Sequence, residues 1–321
     1  MPQSITIRSG AADFAGFKYL RERLKLALRA RLHQRATFGW LRLLNSHPLF
    51  AELVKANPRL VYKIYRPYLS NTTNIHGRLA MLSAHYRHIF SHGMGPLSVQ
   101  AARGPVLLGR VEGKSGLPYH VQLRAIDPME REGELVLQLM QGDALVTSCA
   151  FAFIEGERGM ALGVGCMQGP KGERGLQLIK DATRELHGLR PKNLMIKLLS
   201  QIAHDHDCST LRLVGNANRA VCGATRQGKV HADYDALWLE LGATRRADGD
   251  FQLASEPICE PDLTLIASKK RSEARKRHET LCELAQAVGV GLHAPRIEAV
   301  PAPVEAPALW TRDDADKYAL A

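Results

Sequence analysis

The sequence predicts an α+β protein: a helical N-terminal region, then an antiparallel or mixed sheet with flanking helices. Three observations predict it. Residues 17–92 carry apolar side chains at helical spacing. Residues 106–166 break into short alternating or apolar blocks bounded by Gly and Asp. From Gly175 onward helical spacing returns, interrupted by two short strand-like runs. This order gives a helical region over 1–95, an α/β core over 96–291 that ends in a basic helix, and a tail over 292–321. The tail is rich in Pro and Ala and is expected to be disordered, because it offers little apolar surface to bury.

The helical region opens on FKYLRERLKLALRARLHQRATFGWLRLL, where Leu20, Leu24, Leu28 and Leu32 stand four apart. Between Lys18 and Arg42 lie eight Lys or Arg and one acid, Glu22. Pro48, Pro58 and Pro67 separate short helices. IHGRLAMLSAHYRHIFSHG reads as a further helix ended by Gly93. The texture changes after Pro96. MQGDALVT predicts a hairpin turning at Gly142–Asp143. The meander should run directly into QGPKGERG, with a helix starting within a few residues of Gly172. Gly188 suits that helix's C-cap, and Pro191 the first turn of a second helix ending near His206. STLRLVGN then reads as a strand, DYDALWLELGA as a helix ended by Gly242, GDFQLA as a last strand, and SKKRSEARKRHETLCELAQAVG as a basic helix.

A formal net charge of +11 points to anionic partners: a phosphate-bearing cofactor, nucleic acid or anionic lipid. The six cysteines (Cys149, Cys166, Cys208, Cys222, Cys259, Cys282) form no CxxC pair and read as reduced thiols. No apolar run approaches the roughly 20 residues of a membrane span, and the N-terminus lacks the basic flank and apolar core of a signal peptide. A cytoplasmic protein is expected, with peripheral contact at the inner membrane left open.

Several motifs resemble those of the VirK/YbjX family of bacterial proteins: CMQGPKG, LHGLRPK, YDALWLELG, the late KKR…RKR, and AHYRHIF at Ala84–Phe90. They arrive in order over roughly residues 17–285. The resemblance implies a cytoplasmic protein of a Gram-negative bacterium, associated with virulence and with resistance to cationic antimicrobial peptides. It supplies no mechanism. The core order is also similar to the GNAT acetyltransferase fold, in which a meander leads through a pyrophosphate-binding turn into a helix. LRLVGNANRA…YDALWLELGATRR resembles that fold's back half, with an Asn after the strand and a Gly ending the next helix. The loop departs from the usual pyrophosphate pattern, because Lys171 stands where a Gly would follow Gln168 by three.

The glycine loop is the first site candidate. Gly169, Gly172 and Gly175 lie three apart, with Lys171 and Arg174 between them. At the start of a helix such a loop can hold a phosphate on its N–H groups, with Gln168 at its entrance; a tight surface turn needing glycine only for backbone geometry is the competing reading. His187 and Arg190, in LHGLRPK, are candidates for a general base and an anion clamp, or for a helix C-cap and a connector. Tyr234 joins them as a candidate, although Tyr234, Leu237, Trp238 and Leu241 share a face that is most simply core. Asp235 beside it could orient a substrate amine. His85, His88 and His92 share one helix face, and HDHDC follows at His204–Cys208; neither cluster is expected to hold a metal. The basic helices point to lipid or a phosphate-bearing cofactor. Nucleic acid is not expected, since no recognised motif is present and aromatics do not interleave the late cluster. The leading expectation is an acyltransferase using an acyl-CoA or another phosphate-bearing acyl donor. The alternative is a non-enzymatic envelope-stress factor that binds the inner membrane surface through its basic helices.

Overall fold

The structure, a computed structural model, describes residues 4–221 and 233–293. A 3-10 turn over Ile7–Ala11 precedes α1 (Gly16–Leu32), α2 (Gln34–Leu44) and α3 (Leu49–Ala56), and a 3-10 stretch over Pro58–Tyr65 leads to α4 (Ile75–Ser91) and α5 (Gly95–Arg103). The meander follows as β1 (Val106–Glu112), β2 (Pro118–Ala125), β3 (Leu135–Gln141), β4 (Ala144–Gly156) and β5 (Gly159–Gln168). Then come α6 (Gly172–Glu185), α7 (Pro191–Asp205), β6 (Thr210–Leu213), α8 (Tyr234–Glu240), β7 (Thr244–Arg245), β8 (Phe251–Ala254) and α9 (Ser268–His293). The α+β order holds. The hairpin turns at Gly142, which takes φ +55°, and the glycine loop opens α6 at Gly172 as the change of period predicts.

Two elements were not legible. The segment around Pro96 is a helix, α5, because Pro in a first helical turn lacks only an N–H that would go unused. β7 is a two-residue strand, too short for a periodicity to register. The tail also begins later than composition suggests. Leu292 is buried within α9, and the residues from 294 on, where disorder was expected, lie outside the described part.

The sheet runs β1-β2-β3-β4-β5-β6-β8-β7. Every pairing is antiparallel except β5 with β6, where α6 and α7 supply the crossover. One buried apolar cluster runs from Trp40, Phe50 and Tyr86 in the N-terminal helices, through Phe151 and Leu162 in the sheet, to Leu199 and Leu284 in α7 and α9. A buried ion pair ties the helical region to the sheet. The Lys63 ammonium lies 2.5 Å from Glu134, just before β3, and the Tyr86 hydroxyl donates to the other Glu134 oxygen, also at 2.5 Å. Breaking such a pair leaves a buried charge unmatched and costs about 3–5 kcal/mol.

β5 and β6 part company beyond Val164↔Leu213, apart from one hydrogen bond from Val214 N–H to the Val164 carbonyl. A bulge at Gly165 starts the divergence: Ala150 pairs with Cys166 and Phe151 with Val164, leaving Gly165 extra. Only glycine fits there, since a Cβ would sit 2.0 Å from the Glu132 carbonyl oxygen. The last three residues of β5 therefore leave β6, and the gap between the two strands is where the candidate site forms.

Candidate anion-binding cleft

α8 is wedged between the diverging strands. The Tyr234 hydroxyl donates to the Met167 carbonyl and accepts from the Met167 N–H, both at 2.9 Å, so it replaces the ladder partner that β5 has lost. Four residues on, the Trp238 indole donates to the Val214 carbonyl at 3.0 Å, just past β6. The N-terminus of α8 is fixed as tightly. Asp233 accepts from Ala236 N–H as its N-cap, and Asn216 donates to Asp233 at 2.7 Å and accepts from Tyr234 N–H at 2.9 Å.

Above this wedge lies an open cleft of about 790 Å³, a size suited to one small ligand. Val146, Thr147 and Gly169 line it from the end of the sheet, α6 from one side, α7's first turn and α8 from the other. Its cations are Lys180 and Arg184 of α6 and Arg190 and Lys192 around the start of α7. Its acids are Asp233 and Glu240; Glu240 pairs with Arg190. Burial lowers the Lys192 pKa first, with Arg219 adding to the effect and Glu240 opposing it. An anion entering the cleft would reverse that direction. The N-terminus of α7 has no side-chain cap, which leaves its positive dipole end facing the cleft.

The glycine loop borders the cleft at Gly169. Lys171 is the N-cap of α6 and supplies no side-chain cap. Gly172 takes φ +75° with nothing near its missing Cβ, whereas a Cβ on Gly175 would lie 2.7 Å from the Pro170 backbone. One glycine thus serves the turn's handedness and the other its tightness. Lys171 and Arg174 are exposed at the helix start. Gln168 is held inward, its amide donating to the Cys166 thiol at 3.1 Å and its carbonyl accepting from Thr147 at 3.0 Å.

Of the other predicted residues, Arg190 lines the cleft and His187 and Tyr234 do not. The C-cap of α6 is Leu186 rather than Gly188, and His187 follows it in a left-handed conformation, φ +55°, beside α9; there the Arg277 guanidinium donates to its carbonyl at 2.9 Å. Burial lowers its pKa, with Lys114 and Lys276 adding to the effect. Tyr234 is fully buried beneath the cleft, with the Arg219 guanidinium 3.8 Å over its ring. Around it burial raises the pKa values of Glu132, Cys166 and Tyr234 alike, with mutual repulsion adding to the last two. Cys166 is thereby kept a thiol rather than a reactive thiolate. Asp235 is spent on structure, accepting from Asn216 N–H at 2.7 Å and pairing with Arg245 at 2.7 Å. Lys180, Arg184, Lys192 and Glu240 were missed. The available signals were the i, i+4 cations on α6 and the two cations flanking Pro191.

A second feature lies on α1. Its leucine stripe faces outward: Phe17 is 81% exposed and Leu24 69%, with Leu20, Leu28 and Leu32 also exposed, while Leu26 alone is buried. Phe38 of α2 is exposed as well. No described helix is long and apolar enough to cross a membrane.

The fold and cleft define an α+β protein with a cationic recess at the open end of its sheet. Residues 15–289 match the model of DUF535, described as a protein of unknown function, and the chain belongs to that family. It is 29% identical over 266 residues to "Uncharacterized protein YbjX" of Escherichia coli K12, covering 81% of this chain and 80% of that one. It is 31% identical over 173 residues to an uncharacterized protein of Haemophilus influenzae, covering 53% and 56%. It is 25% identical over 203 residues to "Membrane protein LapB" of Mannheimia haemolytica, covering 62% of this chain and 83% of that one. No solved structure matches.

Proposed function

We propose that the cleft binds a phosphate-bearing acyl donor of the acyl-CoA kind and that the protein transfers the acyl group to an amine or hydroxyl. One observation carries this: a cation-rimmed recess of about 790 Å³ is lined by the start of β4, by Gly169 just past β5, and by α6, the first turn of α7 and α8. The strand order, with its single parallel pair after the meander, supports a GNAT-like reading of the core. In this reading Lys180, Arg184, Arg190 and Lys192 take the phosphates, and Val146, Ile179 and Leu237 take the apolar part. Both acids of the cleft are engaged, Asp233 in capping α8 and Glu240 in the pair with Arg190; in this reading Glu240 accepts the acceptor's proton once a donor phosphate draws Arg190 away.

The test is a thermal-shift screen of the full chain against coenzyme A, acyl-CoAs, nucleotides and inorganic phosphate. A donor at 100 times its dissociation constant adds about 2.7 kcal/mol of stability. Arg184→Ala with Lys180→Ala should weaken the shift and its salt dependence. No shift with any acyl-CoA would sink the reading.

A second reading rests on α1. An exposed row of leucines bordered by Arg21, Arg23, Lys25, Arg29 and Arg31 fits the surface of an anionic bilayer, the apolar face entering and the cations meeting headgroups. The name of the Mannheimia relative agrees with a membrane association. The two readings are compatible if the acceptor is lipid-linked. Association with virulence and peptide resistance rests on the family resemblance; co-sedimentation with anionic and with neutral vesicles tests the surface itself.

A further inference from the structure

Two histidine-bearing segments far apart in sequence meet in the fold. His88 lies in the last turn of α4 and His92 is that helix's C-cap four residues on, while His206 follows the last turn of α7. A ring nitrogen of each lies within 4.8 Å of one from each of the other two. His85, which shares their face in the sequence, is not part of this group: its Nδ1 accepts from the Phe153 N–H.

His88 and His92 stack at 4.0 Å, and His88 and His206 are within hydrogen-bond distance, but one ring nitrogen from each of the three converges within 4.8 Å, as ligands of one ion would. His88 Nε2 and His206 Nδ1 are 3.2 Å apart. That is close to the edge of about 3.3 Å of a tetrahedron built on zinc–nitrogen bonds of roughly 2.0–2.1 Å. His92 Nδ1 lies 2.8 Å from the His88 carbonyl, so its N–H is donated there and Nε2 keeps its lone pair. A ligating histidine is ordinarily oriented by such a bond from its other nitrogen. His206 Nε2, the nitrogen that does not meet His88, is buried with no hydrogen-bond partner. Phe153 stacks on His88 at 4.1 Å and tilts against His206 at 5.1 Å, which shields the group from one side. His293 of α9 stacks on His206 from another, with its Nδ1 3.0 Å from the Gly289 carbonyl.

We infer that His88, His92 and His206 form a binding site for a borderline first-row dication, with Zn2+ the ion that best suits three imidazoles. Mg2+ and Ca2+ prefer oxygen ligands and are disfavoured by this donor set. Three protein nitrogens leave one position for water or an anion. His92, the exposed member, is the ligand on the solvent side.

The test uses the tag-free full chain, stripped with chelator. Calorimetric titration with Zn2+ should show one equivalent bound. Because His92 is exposed, His92→Ala should remain folded by circular dichroism and bind more than about tenfold more weakly. Cys259→Ser with Cys282→Ser should bind as wild type does, since those thiols lie outside the group. Substituting Co2+ should give visible bands of a nitrogen-ligated, four-coordinate ion without a thiolate charge-transfer band. The inference is overturned if wild type takes up no Zn2+, if His92→Ala binds equally well, if the double serine variant loses the ion, or if the cobalt spectrum shows thiolate.

Discussion

α1 and the cleft use the same two kinds of side chain in opposite arrangements. On α1 the apolar residues stand outward in a row and the cations border them, over a length of 17 residues. At the cleft the cations form a rim and the apolar residues lie within it. A long apolar ridge with flanking charge fits an extended anionic surface. A recess with charge at its mouth fits a single anionic molecule. The support beneath them differs too. α1 is anchored through Leu26, whereas the cleft rests on Tyr234, Trp238 and Arg219, each fully buried.

That difference predicts a wide separation in stability effects. Tyr234→Ala removes a buried ring and the hydroxyl that satisfies both backbone groups of Met167, and should cost about 3–5 kcal/mol in urea unfolding. Tyr234→Phe keeps the ring and should cost about 1–3 kcal/mol through the orphaned backbone groups. If Tyr234→Phe were neutral, water would be replacing the hydroxyl and the wedge description would be wrong.

The glycine loop should respond next. Gly175→Ala forces a methyl against the Pro170 backbone and should cost about 1–3 kcal/mol. Gly172→Ala meets no neighbour but keeps the left-handed φ, at about 1–2 kcal/mol. Both are read as shifts in unfolding midpoint. If Gly172→Ala were free of cost, the loop would adjust easily, and its shape would not preorganise an anion site.

A pH effect sharpens the contrast from beneath the cleft. Burial raises the pKa of Glu132, against the pull of Cys166, Arg219 and Arg131. The folded state therefore holds this proton more tightly than the unfolded chain does. Its stabilising contribution is complete below the unfolded pKa and is lost as pH rises through the folded value. Glu132→Gln, permanently neutral, should gain stability relative to wild type at pH 8 and lose that advantage at pH 4. An equal difference at both pH values would contradict the assignment.

The smallest stability effect belongs to α1. Leu24→Ser with Leu28→Ser should stay within about 0.5 kcal/mol per site, because neither side chain is buried. The same variant should lose co-sedimentation with anionic vesicles. A large fall in the melting temperature would mean that the stripe packs against another part of the protein.

How much of this was legible follows from which residues act locally. The junction between β5 and α6 was readable because the period of the apolar residues changes there. The direction of the α1 stripe was not: spacing by four marks one helix face without saying what covers it, and the residue that anchors α1, Leu26, stands off the stripe. Around the cleft, Gly169 and Arg190 were legible from their motifs. Lys180, Arg184 and Glu240 belong to the site only because α6, α7 and α8 converge on the gap between two strands. His187 was misleading, since a φ of +55° just past the C-cap of α6 places it beside α9. The two histidine segments could each be seen, but the separation of 118 positions between His88 and His206 hid their meeting.

The central claim is that the cleft is where an acyl donor binds. Hydrogen–deuterium exchange of the full chain, with and without saturating acetyl-CoA, tests it most directly. The account predicts slowed exchange over residues 168–184, 190–196 and 233–240, and none on α1. Binding that protects other segments, or no protection at any acetyl-CoA concentration, would contradict it.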